Sequence, residues 1–147
     1  MILISHRGNL DGKNESEENN PIYIEEALNA GYEVEIDVWY KYGEFYLGHD
    51  SPKYQVDKSF LQNDKLWCHA KNLDALNEML KYSDIHCFWH QEDDFTLTSR
   101  GVIWTYTGKE TTPKSISVLP ENSDKEIGEC LGVCSDYIEY YSGELNG

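Results

Sequence analysis

The 147-residue sequence predicts an α/β fold, with short and mostly parallel strands in a compact, reduced barrel whose helices are in several places shortened or missing. Three observations lead there. Short apolar segments alternate with amphipathic ones in a β-α-β rhythm. Polar, reactive residues (His6, Asp37, His49, His69, His90) each close a predicted strand, where α/β barrels carry their sites. The later connections are too short for a helix each: twelve residues separate Trp89 from Val102. A complete eight-unit barrel takes roughly 200–250 residues, so a barrel of this length has lost helices or is incomplete. One domain spanning 1–147 is expected.

The elements follow in order. Ile2-Leu3-Ile4-Ser5 is a short buried strand, and residues 8–20 form a polar surface excursion. Pro21 suits the first turn of a helix capped by Asn20 and ended by Gly31. Ile22, Ile24, Ala27 and Leu28 supply its apolar face. Residues 33–38 alternate strictly, so Val34, Ile36 and Val38 share one face of a strand, and Glu35 and Asp37 share the other. Tyr42-Gly43-Glu44 is a turn into a strand, Phe45-Tyr46-Leu47, that delivers His49. Leu66-Trp67-Cys68-His69 is the next strand, followed by a helix with Leu73, Leu76 and Leu80 on one side. Further strands are read at 85–89, 102–105, 116–119 and 131–134. Tyr137, Tyr140 and Tyr141 are expected to pack in a C-terminal segment.

Composition narrows the function classes. Net charge is −15, which disfavours nucleic acid and anionic membranes as partners. No apolar run is long enough to cross a bilayer, so no stable membrane insertion is expected. Met1-Ile2-Leu3-Ile4 lacks the length and basic start of a signal peptide, and a cytoplasmic location is expected. The four cysteines (Cys68, Cys87, Cys130, Cys134) do not have zinc-ribbon spacing and read as reduced, mostly buried thiols. Oligomeric state is left open.

The first fifty residues carry the chemistry. Glu35 and Asp37 point the same way from one strand, and a carboxylate pair aimed into a site is costly unless a cation joins it. Oxygen ligands favour magnesium, calcium or manganese. Alone, such a pair is more often an exposed acidic face. His6 precedes Arg7-Gly8, where glycine permits a sharp turn, and His49 precedes Asp50, a candidate to orient it. Either histidine alone is more often structural. Two histidines flanking a phosphate can act as acid and base, with Arg7 gripping phosphate oxygens.

His6-Arg7-Gly8, Glu18-Asn19, Glu35-x-Asp37 and His49-Asp50 resemble, in order and spacing, the signature of the glycerophosphodiester phosphodiesterase family. The resemblance is dense over residues 1–50 and thinner afterwards. Trp104-Thr105 is similar to a late-strand tryptophan motif, and Cys134-Ser135-Asp136-Tyr137 to the final barrel strand. It implies a reduced TIM-like (β/α) barrel and a metal-dependent hydrolase of glycerophosphodiesters or other small phosphodiesters. In it, Glu35 and Asp37 hold the metal, His6 and His49 are the acid/base pair, and Arg7 binds phosphate. Glu18 either lies at the metal or hydrogen-bonds Arg7. Lys71 and Trp104 are the further substrate-side residues. A neighbouring substrate hydroxyl can attack phosphorus first in such enzymes, leaving a cyclic phosphate.

The sequence departs from the family pattern at one ligand. The usual third acid, two residues before a lysine, is His69 in His69-Ala70-Lys71. An imidazole ligand would shift preference toward a transition metal. Alternatively Glu18 supplies the third ligand, and His69 is a packed polar residue. The altered ligand and short barrel also admit a second function, a phosphodiester-binding module without efficient turnover. His90 and the acidic run Glu92-Asp93-Asp94 read as a pocket rim or a solvated loop.

Overall fold

A computed structural model describes residues 1–146 of the chain. The elements are β1 (Ile2–His6), α1 (Pro21–Asn29), β2 (Glu33–Lys41), β3 (Glu44–Leu47), β4 (Tyr54–Val56), α2 (Lys58–Leu61) and β5 (Leu66–Ala70). They continue with α3 (Leu73–Met79), β6 (Cys87–Trp89), β7 (Phe95–Leu97), β8 (Ile103–Thr105), β9 (Ser115–Val118), β10 (Gly132–Ser135) and α4 (Ile138–Asn146). Strands β6-β5-β2-β1-β10-β9-β8 pair in that order and all run parallel. β7 adds to β8 antiparallel, and the β3–β4 hairpin extends from the far end of β2. Tyr42 and Gly43 both have positive φ (55° and 72°), as the tight hairpin turn between β2 and β3 requires.

The sheet is strongly curled. β6 and β8 terminate opposite ends of the parallel path, yet the rings of Phe88 and Trp104 lie 4.7 Å apart. The concave side is packed by Ile4, Trp67, Phe88, Trp104, Ile116, Val118 and Cys134. On the convex side Val34, Ile36, Val38, Leu66 and Cys68 meet Ile24 and Ala27 of α1, Leu61 of α2, and Ala75 and Met79 of α3. α4 closes over Val133 through Ile138 and Tyr141. The period-2 alternation of β2 therefore puts its valines and isoleucine under helices and its acids inside the curl. Among the described residues, no α-helix intervenes between β6 and β10. The fold is thus mixed α/β with a curled, largely parallel sheet and few helices.

Several sequence expectations need correction. In α1, Ile22 is 70% exposed, while Ile24 and Ala27 are fully buried. In α3, Leu73 and Leu80 face solvent, and the buried positions are Ala75 and Met79. In α1 the expected face therefore holds at Ile24 and Ala27 and fails at Ile22, whereas in α3 the helix register against the sheet buries Ala75 and Met79 in place of Leu73 and Leu80. β4, α2, β7 and α4 are further elements beyond the sequence expectations, three to nine residues long with weak periodicity. Of the C-terminal tyrosines only Tyr141 packs; Tyr137 and Tyr140 are exposed. The Asn20 cap is as expected, its side chain accepting from the Ile22 N–H at 3.0 Å. The four cysteines are free, with Cys68, Cys87 and Cys134 buried. No helix among the described residues is long and apolar enough to cross a membrane.

Candidate functional site

Parallel pairing aligns the strand ends that carry the polar residues. His6 is in register with Glu35, and Asp37 with His69, so β1, β2 and β5 deliver their side chains to one rim of the curl. The chain then turns sharply at Arg7, whose φ of 59° is rare for a residue with a Cβ. Two backbone bonds hold that turn: Arg7 N donates to Glu35 O (2.8 Å), and Asn19 N donates to Arg7 O (3.1 Å). Gly8 follows at φ 97°, and a Cβ there would lie 2.5 Å from Tyr23 Cδ2. At Gly48 a Cβ would collide with Ser51 O, so glycine sets the tight loop that presents His49.

His6, Arg7, Glu18, Glu35, Asp37, His49 and His69 converge. Arg7 Nη1 donates to Glu18 Oε1 at 3.0 Å, and Arg7 Nε lies 3.1 Å from Asp37 Oδ2 without hydrogen-bond alignment. His49 Nδ1 is 3.4 Å from Asp37 Oδ2. Asp50, expected to orient His49, is 3.8 Å away and almost fully exposed; Asp37 is the nearer carboxylate. A polar cavity of about 420 Å³ opens beside this cluster, with Arg7, Lys13, Glu18, His49 and Lys53 in its walls.

Three residues outside the expected set complete the arrangement. Asp136, just past β10, accepts from His6 Nδ1 at 2.7 Å. Asn9 bridges Glu18 and Asp136 through Nδ2, at 3.1 and 2.9 Å. Asn19 clamps Asp37 twice, donating to Oδ2 and accepting from its backbone N–H, both at 2.9 Å. The signal that flagged His6 and His69, a polar side chain at a strand's C-terminal end, also applied to Asp136.

Tautomers follow from these partners. A carboxylate only accepts, so His6 Nδ1 carries a proton, and in the neutral ring Nε2 presents a lone pair 3.8 Å from Glu35 Oε1. His69 Nε2 lies 2.9 Å from the His90 carbonyl oxygen and must donate to it. His69 Nδ1 then faces Asp37 Oδ1 (3.2 Å) and Glu35 Oε2 (3.8 Å). Two carboxylates and a nitrogen lone pair at this separation require positive charge among them, a proton or a cation.

The titration shifts say the same. Burial, with the adjacent Asp37 charge, raises the Glu35 pKa. Burial opposes the charge of Asp37, but the His49 and His69 imidazoles and Arg7 outweigh it and hold its pKa well below the ordinary value. Burial opposes protonation of His69 and of His6, yet each pKa is raised, by Asp37 and Glu35 for His69 and by Asp136 and Glu35 for His6.

Glu35, Asp37 and His69 each offer one ligand atom, and these atoms lie within 4.8 Å of one another. Glu35 Oε1 and Asp37 Oδ1 are buried without a hydrogen-bond partner. That donor set fits a divalent cation. Glu18 instead spends both oxygens on Arg7 and Asn9. Trp104 sits below the site, 4% exposed between Trp67 and Phe88. Lys71 follows β5 on the same rim, its backbone N–H bonded to Val38 O, with no ion pair of its ammonium among the described residues. Trp89 packs on the convex side.

The chain matches no family model, no curated protein and no solved structure. The site's own geometry therefore carries the functional reading.

Proposed function

We propose that this chain is a metal-dependent phosphodiesterase acting on glycerophosphodiesters or related small phosphodiesters, on a reduced TIM-like barrel. The observation that carries the reading is the convergence of two histidines, one arginine and a buried carboxylate pair, with one oxygen of each acid lacking a hydrogen-bond partner, at one rim of the curled sheet. Glu35, Asp37 and His69 would hold the cation. When bound, a divalent ion would neutralise the carboxylates and polarise a phosphoryl oxygen.

The chain's own groups divide the remaining work. Arg7, fixed by Glu18 beside Asp37, places a guanidinium where it can bind a non-bridging phosphate oxygen. His6 Nε2, its ring oriented by Asp136, accepts the proton of the attacking hydroxyl. That hydroxyl belongs to water or to a neighbouring carbon of the substrate, the latter giving a cyclic phosphate. His49, at the cavity wall, donates a proton to the departing alkoxide.

Choline release from glycerophosphocholine, or nitrophenol release from a chromogenic diester, tests this across magnesium, calcium and manganese. Turnover should appear with at least one ion, and His6→Ala or His49→Ala should lower kcat by roughly 10²–10⁴. No turnover with any ion would sink the enzyme reading. The imidazole at the third ligand position favours the second reading, a binding module. Tight diester binding without product would select it.

A further inference from the structure

The helix layer leaves part of the sheet bare. α1, α2 and α3 pack on β2 and β5, α4 packs on β10, and among the described residues no α-helix lies between β6 and β10. Trp104 of β8 points into the concave core, so its ladder partner Thr96 shares that side. Phe95, Leu97 and Ile103 then turn to the convex side, where Phe95 is 50% exposed and Leu97 68%. A strand pair open to water on one face ordinarily places polar residues there. β7 has the reverse pattern, a threonine inward and two large apolar side chains outward. With the 110–114 loop these side chains wall a mostly apolar groove of about 460 Å³, room for a large side chain from another molecule.

The charge around the groove is unlike that of the chain. Residues 95–118 carry three basic residues (Arg100, Lys109, Lys114) against one acid (Glu110), in a chain whose totals are 12 and 27. Arg100 and Lys109 are each answered at 3.6 Å, by Asp64 and Asp94. Glu110 and Lys114 are exposed and form no ion pair among the described residues. They stand at the two ends of the loop that walls the groove. Two copies of a −15 chain repel each other through most of their surfaces, but this face can meet itself without setting acid on acid. A two-fold contact sets one residue on a second and the second on the first. One axis through the groove can therefore pair Glu110 with Lys114 twice.

We propose that the chain forms a two-fold homodimer through this bare face. Leu97 and Phe95 of one copy enter the groove of the other, and Glu110 of one copy pairs with Lys114 of the other. The second copy supplies the cover that helices give the rest of the sheet. The proposal goes beyond the phosphodiesterase reading and does not depend on it, since none of these residues belongs to the cluster around Glu35 and Asp37.

Sedimentation velocity of the full chain, from low to high micromolar concentration, should show a monomer–dimer equilibrium. Leu97→Asp should raise the dimer dissociation constant roughly tenfold or more. Tyr42→Asp, an equal loss of exposed apolar surface at the tip of the β2–β3 hairpin, should leave it unchanged. Glu110→Lys and Lys114→Glu should each weaken the dimer, roughly threefold to tenfold. The two exchanges in one chain should restore it, because only a face that meets its own copy recovers both pairs. Should Leu97→Asp fail to fold, the charge exchange decides the matter alone. A chain that is monomeric at every concentration would overturn the proposal. So would a dimer that Leu97→Asp leaves intact, or single exchanges that the double variant does not rescue. A chain that stays monomeric and floats with phosphatidylglycerol vesicles would overturn it in favour of a lipid surface.

Discussion

His6 Nδ1 lies 2.7 Å from Asp136 Oδ1, a side-chain hydrogen bond spanning 130 residues that ties the end of β1 to the residue just past its ladder partner β10. Asp136→Asn keeps the shape of that side chain but can bond the ring through its amide oxygen or its NH₂ group. The NH₂ contact would turn His6 so that Nδ1, not Nε2, carries the lone pair. We predict a loss of kcat of at least about 10² with little change in melting temperature. A variant as active as the parent would remove Asp136 from the orientation of His6.

The carboxylate pair should show itself in stability before any assay of turnover. Without divalent ions, Glu35→Gln is expected to raise the melting temperature, because it removes a buried charge beside Asp37. Manganese or magnesium should stabilise the parent in proportion to the logarithm of ion concentration, and this response should vanish in Glu35→Gln and Asp37→Asn. Calorimetric melts with and without chelator measure both effects.

Acid stability should depend on His86. Burial, with Arg100 nearby, lowers its pKa to about 4, and its Nε2 lies 2.7 Å from Thr98 Oγ1. The unfolded chain binds this proton near the ordinary pKa, so stability falls as pH drops from about 6.5 toward 4, by up to roughly 3 kcal/mol. His6 and His69, with raised values, act oppositely and lose their contribution as pH rises. Urea midpoints at pH 7 and pH 5 should therefore differ more in the parent than in His86→Gln.

Gly8→Ala should destabilise by roughly 1–3 kcal/mol and weaken activity, since its φ of 97° and the Tyr23 ring both oppose a Cβ. Adding Tyr23→Ala removes only the steric part, so the double variant should recover incompletely. Full recovery would mean that the backbone conformation is not strained.

Trp104→Ala tests a placement. Between Trp67 and Phe88 the indole is core, and truncation should cost about 3–5 kcal/mol. A raised KM at unchanged stability would return Trp104 to the substrate side.

The alternation of residues 33–38 was enough to separate the acids of β2 from its apolar face, because a strand's side chains alternate whatever it pairs with. The strand-end positions of His6 and His69 were equally legible. The helix faces were not: Leu73 and Ile22 satisfy the helical period, but burial depends on how each helix rotates against the sheet. The resemblance puts Trp104 on the substrate side, but neither a motif nor a strand position gives depth within the curl, where Trp104 lies between Trp67 and Phe88.

Sequence by itself determined the chemical inventory near one rim and the strand that pairs Glu35 with Asp37, since both are local properties of residue type and spacing. Only the tertiary structure decided that Asp136 meets His6, that Glu18 is occupied by Arg7, and that His69 turns Nδ1 toward the carboxylates. These depend on parallel register and on the curl that brings distant strand ends together, and no local pattern encodes the partner of a side chain 130 residues away.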